Sequence, residues 1–384
     1  MIKVAILGAG LVGRLLSLTL DKINASDADA LQITLIEQGK LAQPQGPGLI
    51  AAAMVSPTAE SVVASEHIVA MGSASLNLWP KLLDYNKLDV VFQQAGSLVL
   101  AHQQDIAHLS SFVQRIKTSK PDAIERIDRT KMQALEPELS RRFSSGYFIP
   151  DEAQVDNQGL YRETERAIEQ SQIKLLTQSL VTSTVYQHEQ GKVEVSCPDG
   201  ESLTDHHLEF DWVIDCRGLG AKQDLVAKSD ALRGVRGEVI RVRAPEVDIT
   251  RPIRLMHPRY PIYCVPKPDN EFVIGATEIE SQDDKPITVR SALELLSAAY
   301  SLHTGFAEAE VLSMNAGLRP TRQDNEPKVS VKDALIQING LYRHGYLLTP
   351  YLVNQALNLL EAETGLALNF SQVEQTDSQL IDSF

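Results

Sequence analysis

The sequence predicts an α/β fold with two interleaved domains, and three observations carry that prediction. The chain opens on an apolar run, Ile2–Leu7, followed by a glycine-rich turn and a stretch of helical character. A second apolar run, Leu31–Ile36, closes on an acid, Glu37. Ribbon-like segments with alternating side chains then lie between the strand-turn-helix pieces rather than after them. At 384 residues the chain is too long for one ordinary domain and suits two.

Taken in order, Ile2–Leu7 is mostly β-branched or Ala, as a strand buried on both faces requires. The turn 8–13, an apolar helix over 11–20 and the strand Leu31–Ile36 complete a βαβ-type unit. A helical pattern dominates 60–87, with Leu76, Trp79, Leu82 and Leu83 on one face. Short strands around Gly96 occupy 90–100, and helices are expected over 104–116, 131–135 and 156–169. Two ribbons follow. Strands over 192–197 and 208–214 flank Asp199-Gly200, with His206-His207 between them and solvated; strands over 261–266 and 271–277 flank Pro268-Asp269-Asn270. An amphipathic helix is expected over 288–302 and strands over 311–318 and 334–338. Thr349-Pro350 reads as the start of the last helix, Thr as N-cap and Pro at N1. The polar tail from Glu374 is expected to fray. Grouped by type, 1–85, 150–225 and 310–384 form a dinucleotide-binding domain, and 86–149 and 226–309 a substrate domain.

Charge and cysteines narrow the classes. Lys+Arg is 36 against Asp+Glu 50, a net charge of -14, which argues against a nucleic-acid binder or a polybasic membrane anchor. The three cysteines, Cys197, Cys216 and Cys264, form no CxxC pair and fit a reducing, cytoplasmic setting. No stretch reaches the length of a spanning helix, and the apolar start is read as mature sequence. No metal-ligand pattern, HExxH, GxSxG or Walker A motif is present, and His257 and His303 read as structural.

The sharpest motif is Gly8-Ala9-Gly10-Leu11-Val12-Gly13, placed between a strand and a helix. The first glycine permits a tight turn, the second lets a pyrophosphate approach the backbone, and the third lets the helix pack closely. Glu37 ends the next strand, where a carboxylate accepts from a ribose diol and repels a 2′-phosphate. Ala52-Ala53-Met54 follows, small residues that let the backbone approach a flat ring; this favours FAD over NAD, the alternative being a buried helix start. The run 211–220, with Asp215-Cys216-Arg217-Gly218, fits a strand returning beneath a dinucleotide or a plain strand and turn. The loop 339–350 runs into a helix whose N–H groups suit the negative charge of a reduced flavin, or is a simple β–α connection.

With these residues in place, the chain resembles the D-amino-acid oxidase family of FAD flavoproteins, and within it the glycine oxidase branch. The resemblance spans nearly the whole chain. It rests on Gly8, Gly10, Gly13 and Glu37, on Ala52-Ala53-Met54, and on Tyr263 in Tyr-Cys-Val-Pro-Lys. It rests further on 273–277, on Gly317-Leu318-Arg319-Pro320 and on Tyr342-Arg343-His344-Gly345 with Leu347. It implies a Rossmann-type FAD-binding domain with an interleaved, mixed or antiparallel-sheet substrate domain. It implies that Leu11, Val12, Glu37 and Gln38 meet the ADP half of FAD and that Val181 meets the adenine, with Gly218 nearby. Ala52, Ala53 and Met54 are implied at the isoalloxazine, and Leu341, Tyr342, Arg343, His344, Gly345, Tyr346 and Leu347 at its pyrimidine end. Arg319 matches the arginine that grips the substrate carboxylate, with Tyr263 and Arg343 as helpers.

Physical chemistry is consistent with those roles. A guanidinium pairs bidentately with a carboxylate, and Pro320 fixes the backbone beside Arg319; the alternative is a strand-end surface ion pair. Tyr263 faces away from Ile262 and Cys264, and composition alone leaves it as core or site. Taken alone, Arg343 reads as a solvated loop residue. The chain departs from the family at Arg217, where a small residue is common, and at His344. It also lacks the usual Ser/Thr cluster at 46–49. The expected function is FAD-dependent oxidative deamination of a small amino acid or amine, giving hydrogen peroxide. A dehydrogenase with another acceptor, a maturation factor acting on a peptide-borne amine, and a flavin-binding sensor are the alternatives. No cysteine follows Cys264, so FAD is expected without a covalent tether. A homo-oligomer is left open.

Overall fold

The computed structural model describes residues 1–26, 30–198, 205–225, 231–257, 261–368 and 370. The expected turn at Asp199-Gly200 and the tail from Glu374 lie outside the described residues.

Two large sheets organise the chain. The first has six strands in the order Lys328–Lys332, Leu335–Asn339, Trp212–Asp215, Ile2–Leu7, Leu31–Ile36 and Lys174–Leu176. All neighbours run parallel except the edge strand Lys328–Lys332. The strand pleat sends Val4 and Ile6 into one core, with helices Leu11–Ser26, Glu66–Tyr85 and Gly345–Thr364. Ala5 and Leu7 enter another, beneath a small antiparallel sheet of Ser183–Gln187, Lys192–Pro198 and Asp205–Phe210. The strand-turn-helix-strand unit at the start is therefore present, with sheet rather than helix covering its second face.

The second sheet has eight strands, in the order Glu310–Arg322, Leu232–Arg243, Glu271–Gly275, Ile262–Lys267, Ile253–Leu255, Ser97–Leu100, Ser145–Ile149 and Glu125–Asp128. The strand Glu310–Arg322, grouped by sequence with the dinucleotide-binding pieces, is hydrogen-bonded into this sheet along Leu232–Arg243. One face is apolar: Ile240, Ile262, Cys264 and Ile274 pack with Leu295 and Leu302 of helix Val289–Leu302. The opposite face carries Val239, Val265 and Val273, against which Ala52 packs, with Met54 and Tyr263 beside them. The candidate site lies on that second face.

Three sequence expectations need correction. The run 208–214 is not one strand. Asp211 breaks it, donating from its backbone N–H to Lys3 O at 2.9 Å and accepting the Lys3 N–H on its carboxylate at 2.7 Å. Residues before the break pair antiparallel with Lys192–Pro198, and residues after it enter the parallel sheet. His206 and His207 lie within the strand Asp205–Phe210, not between strands. Thr349-Pro350 does not open the last helix, which starts at Gly345 and runs through Pro350. A proline inside a helix leaves the carbonyl four residues earlier without a donor. Here that carbonyl belongs to Tyr346, and the Trp79 indole N–H donates to it at 2.9 Å. The two rings stack at 6.1 Å, joining helices Glu66–Tyr85 and Gly345–Thr364.

Trp79→Phe should therefore destabilise the fold by about 1–3 kcal/mol, the cost of a buried acceptor left unpaired. The loss should be smaller in a Pro350→Ala background, where residue 350 supplies the N–H. Urea unfolding of the four proteins tests this; an equal loss in both backgrounds would remove the indole–carbonyl explanation.

Candidate active site

The glycine turn sits at the C-terminal end of Ile2–Leu7, in the crevice where open α/β sheets bind ligands. Gly8 has φ 90, and a Cβ on Gly13 would stand 1.9 Å from Gly8 O, so both positions require glycine. A Cβ on Gly10 would meet nothing within 4 Å, so the middle of the turn is open at the helix start. Glu37 closes the turn: one carboxylate oxygen accepts from Ala9 N–H at 2.6 Å and the other from Gly39 N–H at 3.0 Å. Beside it lies a cleft of about 330 Å³ lined by Gly8, Glu37, Gln38, Val181 and Arg217, among others. An open glycine turn, a helix N-terminus and an acid at the cleft wall fit the nucleotide half of a dinucleotide. Gly218, with φ 56, follows this wall, and Asn339 donates to its carbonyl at 3.0 Å.

Arg217 forms part of that wall. Its guanidinium pairs with Asp215 at 2.7 Å and Asp224 at 2.5 Å and reaches Val181 O at 3.4 Å. Arg14, which sequence reasoning missed, lies buried below the turn. It donates from Nε to Ala9 O at 2.9 Å and lies 4.8 Å over the Tyr161 ring. Its one sequence signal is a lone charge in an otherwise apolar helix start.

The segment Ala52-Ala53-Met54 is held under strain. Ala53 adopts φ 55, a region that costs a non-glycine residue free energy. Its carbonyl accepts from Val155 N–H at 3.0 Å, and Met54 pairs with Gln154 in a short ladder. Asn157, fully buried, clamps the approach to this segment. Its amide donates to Leu49 O and, at 2.9 Å, to Ala51 O, and its oxygen accepts from Arg241 at 2.9 Å.

Arg319, Tyr263 and Arg343 come together on the second face of the eight-stranded sheet. Arg319 lies across Gly237, where a Cβ would stand 2.3 Å from its Nη2. It donates to Arg236 O at 3.3 Å and Thr277 O at 3.2 Å, and no carboxylate pairs with it among the described residues. Tyr263 stands opposite Arg254 on one neighbouring strand and Gly275 on the other. Burial raises its phenol, while Arg319, Arg343 and Arg254, in that order of influence, act against the rise.

Arg343 is not the solvated loop residue that its sequence context suggests. It pairs with Glu60 at 3.0 Å and Glu278 at 2.7 Å. Glu278 also accepts from the Tyr342 hydroxyl at 2.5 Å, and burial together with this bond pushes that phenol up to about 12. Tyr342 has φ 51 and donates its N–H to Pro320 O at 2.9 Å, which ties the 339–345 loop to the Arg319 strand. Glu60 is the residue sequence reasoning lacked. Burial alone raises its carboxyl, but Arg343, His344 and Arg254 outweigh that and hold it at about 2. The buried His344 ring lies 3.7 Å from Glu60, and burial still pushes it down to about 4. Leu341 to Leu347 thus wrap the same corner, and the Tyr346 hydroxyl donates to Gly48 O at 3.0 Å.

A dinucleotide-type cleft at the glycine turn and a cluster of arginines on the second sheet are the features of a flavoprotein oxidoreductase. The chain matches the family described as FAD dependent oxidoreductase (DAO) over residues 3–353 and belongs to it. It is 33% identical to a putative thiamine biosynthesis oxidoreductase ThiO of Rhizobium etli, over 94% of this chain and 98% of the relative. It is 24% identical to a glycine oxidase of Bacillus licheniformis, over 73% of each chain. Its fold is similar to that of glycine oxidase from Geobacillus kaustophilus, with TM-score 0.76 and 22% identity over 98% of this chain and 100% of that one. The same holds for iminodiacetate oxidase from Chelativorans sp., with TM-score 0.74 and 24% identity over 95% and 96%. Among the described residues no helix is long and apolar enough to cross a membrane.

Glu37→Ala should raise the Kd of the apoprotein for FAD by about one to two orders of magnitude, since hydrogen bonds to a charged acceptor are worth about 1.5–3 kcal/mol. Glu37→Gln should lose less. Equal FAD retention in the wild type and the Ala variant would reduce Glu37 to a surface acid.

Proposed function

We propose that this chain is an FAD-dependent oxidase of a small amino acid or amine, of the glycine, sarcosine or D-amino-acid kind. The observation that carries the reading is Arg319. Its guanidinium is partly buried and held by two backbone carbonyls, with no carboxylate among the described residues to pair with its charge. A substrate carboxylate supplies the missing partner in a bidentate pair.

FAD is proposed to lie along the glycine turn and Glu37, with its ring toward Ala52–Met54 and the 341–347 loop, bound without a covalent tether. When bound, FAD would supply a two-electron acceptor for the hydride lost from the substrate Cα as the amine lone pair forms C=N; dioxygen and one proton would take up that electron pair as hydrogen peroxide, and water would hydrolyse the imine. The chain's own residues align and select. Arg319 fixes the carboxylate, and Tyr263 beside it restricts where Cα lies. Hydride transfer from the neutral amine needs no protein base. Arg343, neutralised by Glu60 and Glu278, shapes the pocket wall rather than competing for the carboxylate.

The dinucleotide-binding part is proposed to comprise 1–85, 150–225 and 310–384, with the edge strand Glu310–Arg322 delivering Arg319 to the substrate part, 86–149 and 226–309. The acidic charge and three free cysteines support a cytoplasmic setting. A second reading, oxidation serving a biosynthetic step rather than degradation, is favoured by the thiamine-biosynthesis name of the 33%-identical relative.

Anaerobic addition of glycine, sarcosine and D-alanine to the yellow holoprotein tests the reading, because a substrate bleaches the flavin. Arg319→Leu should keep its FAD yet lose about 10² to nearly 10⁴ in kcat/KM, corresponding to the roughly 3–5 kcal/mol of a broken buried pair. Lys at this position should rescue poorly, because it offers a point charge rather than a fork. A decarboxylated amine should be turned over equally poorly by both proteins. Wild-type flavin reduction by amino acids in the Leu variant would overturn the assignment.

A further inference from the structure

A second guanidinium beside Tyr263, that of Arg254, has no hydrogen-bonded partner among the described residues. Arg254 stands on the short strand Ile253–Leu255, whose flanking residues Ile253 and Leu255 pack into the helix-side core. The pleat therefore sends Arg254 to the other face, beside its cross-strand partner Tyr263. Its side chain is only 6% exposed. It makes no hydrogen bond with any described residue, and its buried Nε has no hydrogen-bond partner among them.

Two carboxylates lie near Arg254, and neither satisfies it. Glu60 Oε1 is 3.6 Å from the guanidinium, beyond hydrogen-bond reach. Both Glu60 oxygens are already approached by Arg343, at 3.2 and 3.0 Å. Glu152 lies in the same electrostatic neighbourhood. Its two oxygens are engaged elsewhere, by Ala59 N–H at 2.8 Å and the Ser97 hydroxyl at 2.5 Å. These acids balance the charge of Arg254 but leave its fork of donors open. Arginine is suited to such a place only where a planar, two-oxygen acceptor arrives. A further atom of the same corner, His344 Nδ1, has no hydrogen-bond partner among the described residues and lies 3.7 Å from Glu60 Oε2. The corner is a polar space lacking part of its hydrogen bonding.

Arg319 and Arg254 approach Tyr263 from opposite sides. Their strands are four steps apart in the sheet order, about 19 Å at roughly 4.8 Å per step. Arg319 leans inward across Gly237 toward Thr277. Arg254 reaches inward toward Glu60. Both guanidiniums act on the Tyr263 phenol between them.

We propose that Arg254 is a second anion-binding residue of this pocket, and that the substrate is a small amine carrying two carboxylates, one held by Arg319 and the other by Arg254. The inference rests on the amine-oxidase reading for its chemistry, but on the geometry of Arg254 for the second carboxylate.

Sarcosine and iminodiacetate differ by one carboxylate on the N-methyl group and make a matched pair. Anaerobic rapid-mixing of each with the holoenzyme gives an apparent Kd from the rate of flavin bleaching. Iminodiacetate should bind at least tenfold more tightly. In Arg254→Met, which keeps the stem and removes the fork, that ratio should fall to one or below. Malonate and acetate supply a readout without turnover: malonate should perturb the flavin absorbance at lower concentration than acetate, and Arg254→Met should abolish the difference. Equal wild-type affinities within each pair would overturn the proposal. So would an Arg254→Met variant that weakens both members of a pair by the same factor, since that is the behaviour of a structural support for Glu60. If neither amine bleaches the flavin while malonate retains its Arg254-dependent advantage, the anion site stands and the oxidase reading fails.

Discussion

A guanidinium held by backbone carbonyls and, among the described residues, by no carboxylate is the constraint around which this molecule is arranged. Arg319 can stay unpaired only if its carbonyl partners, Arg236 O and Thr277 O, cannot move. They are fixed by a buried pair beneath them. Arg236 bonds Glu238 at 2.7 Å, and Glu238 bonds the Thr277 side chain at 3.0 Å. The Arg236 guanidinium also donates to the carbonyls of Asp283, Lys285 and Pro286 at 2.6–2.9 Å, which pins the loop ahead of helix Val289–Leu302. A charge pair this deep adds little net stability in itself, but it leaves the carbonyls one position to occupy. The floor under Arg319 is Gly237, since any side chain there would displace the guanidinium.

The same requirement explains how the two sheets interlock. In the proposed reading a substrate on the eight-stranded sheet meets a cofactor on the six-stranded one, so the register between the sheets has to be set by directional bonds. Asn157 and Arg241 supply one such bond, joining the Ala51 approach to the sheet that carries Tyr263. Lys267 supplies another, donating to Val155 O at 2.7 Å and Gln154 at 3.1 Å. Burial and the nearby Arg241 push that ammonium down to about 7, the cost of placing a cation at a buried junction. Glu60 then closes the pocket from the side of the 341–347 loop. One carboxylate gathers Arg343, His344 and Arg254 into one corner.

Much of this was legible in the sequence, where the signal was local. The glycine turn, the strands beside it and the acid at Glu37 follow from spacing and periodicity. Tyr263 was placed on the correct face by alternation with Ile262 and Cys264. Local reading failed where a distant partner overruled it. Asp211 sits in a run that looks like one strand, and only its two bonds to Lys3 divide it. Pro350 signals a helix start, and only the indole of Trp79, far away in sequence, lets the helix pass through it. Glu60, Asn157 and Arg254 carry no motif. Their roles arise from convergence across the fold, as between Glu60 and Arg343, 283 residues apart.

The most direct test of the account is a crystal structure of the FAD-loaded protein grown with a simple carboxylate that cannot be oxidised, such as acetate. The account predicts both carboxylate oxygens on the Arg319 guanidinium, at charge-assisted distances of about 2.7–2.9 Å, with Tyr263 alongside. Acetate bound to Arg343 instead, with Arg319 still held only by Arg236 O and Thr277 O, would contradict it.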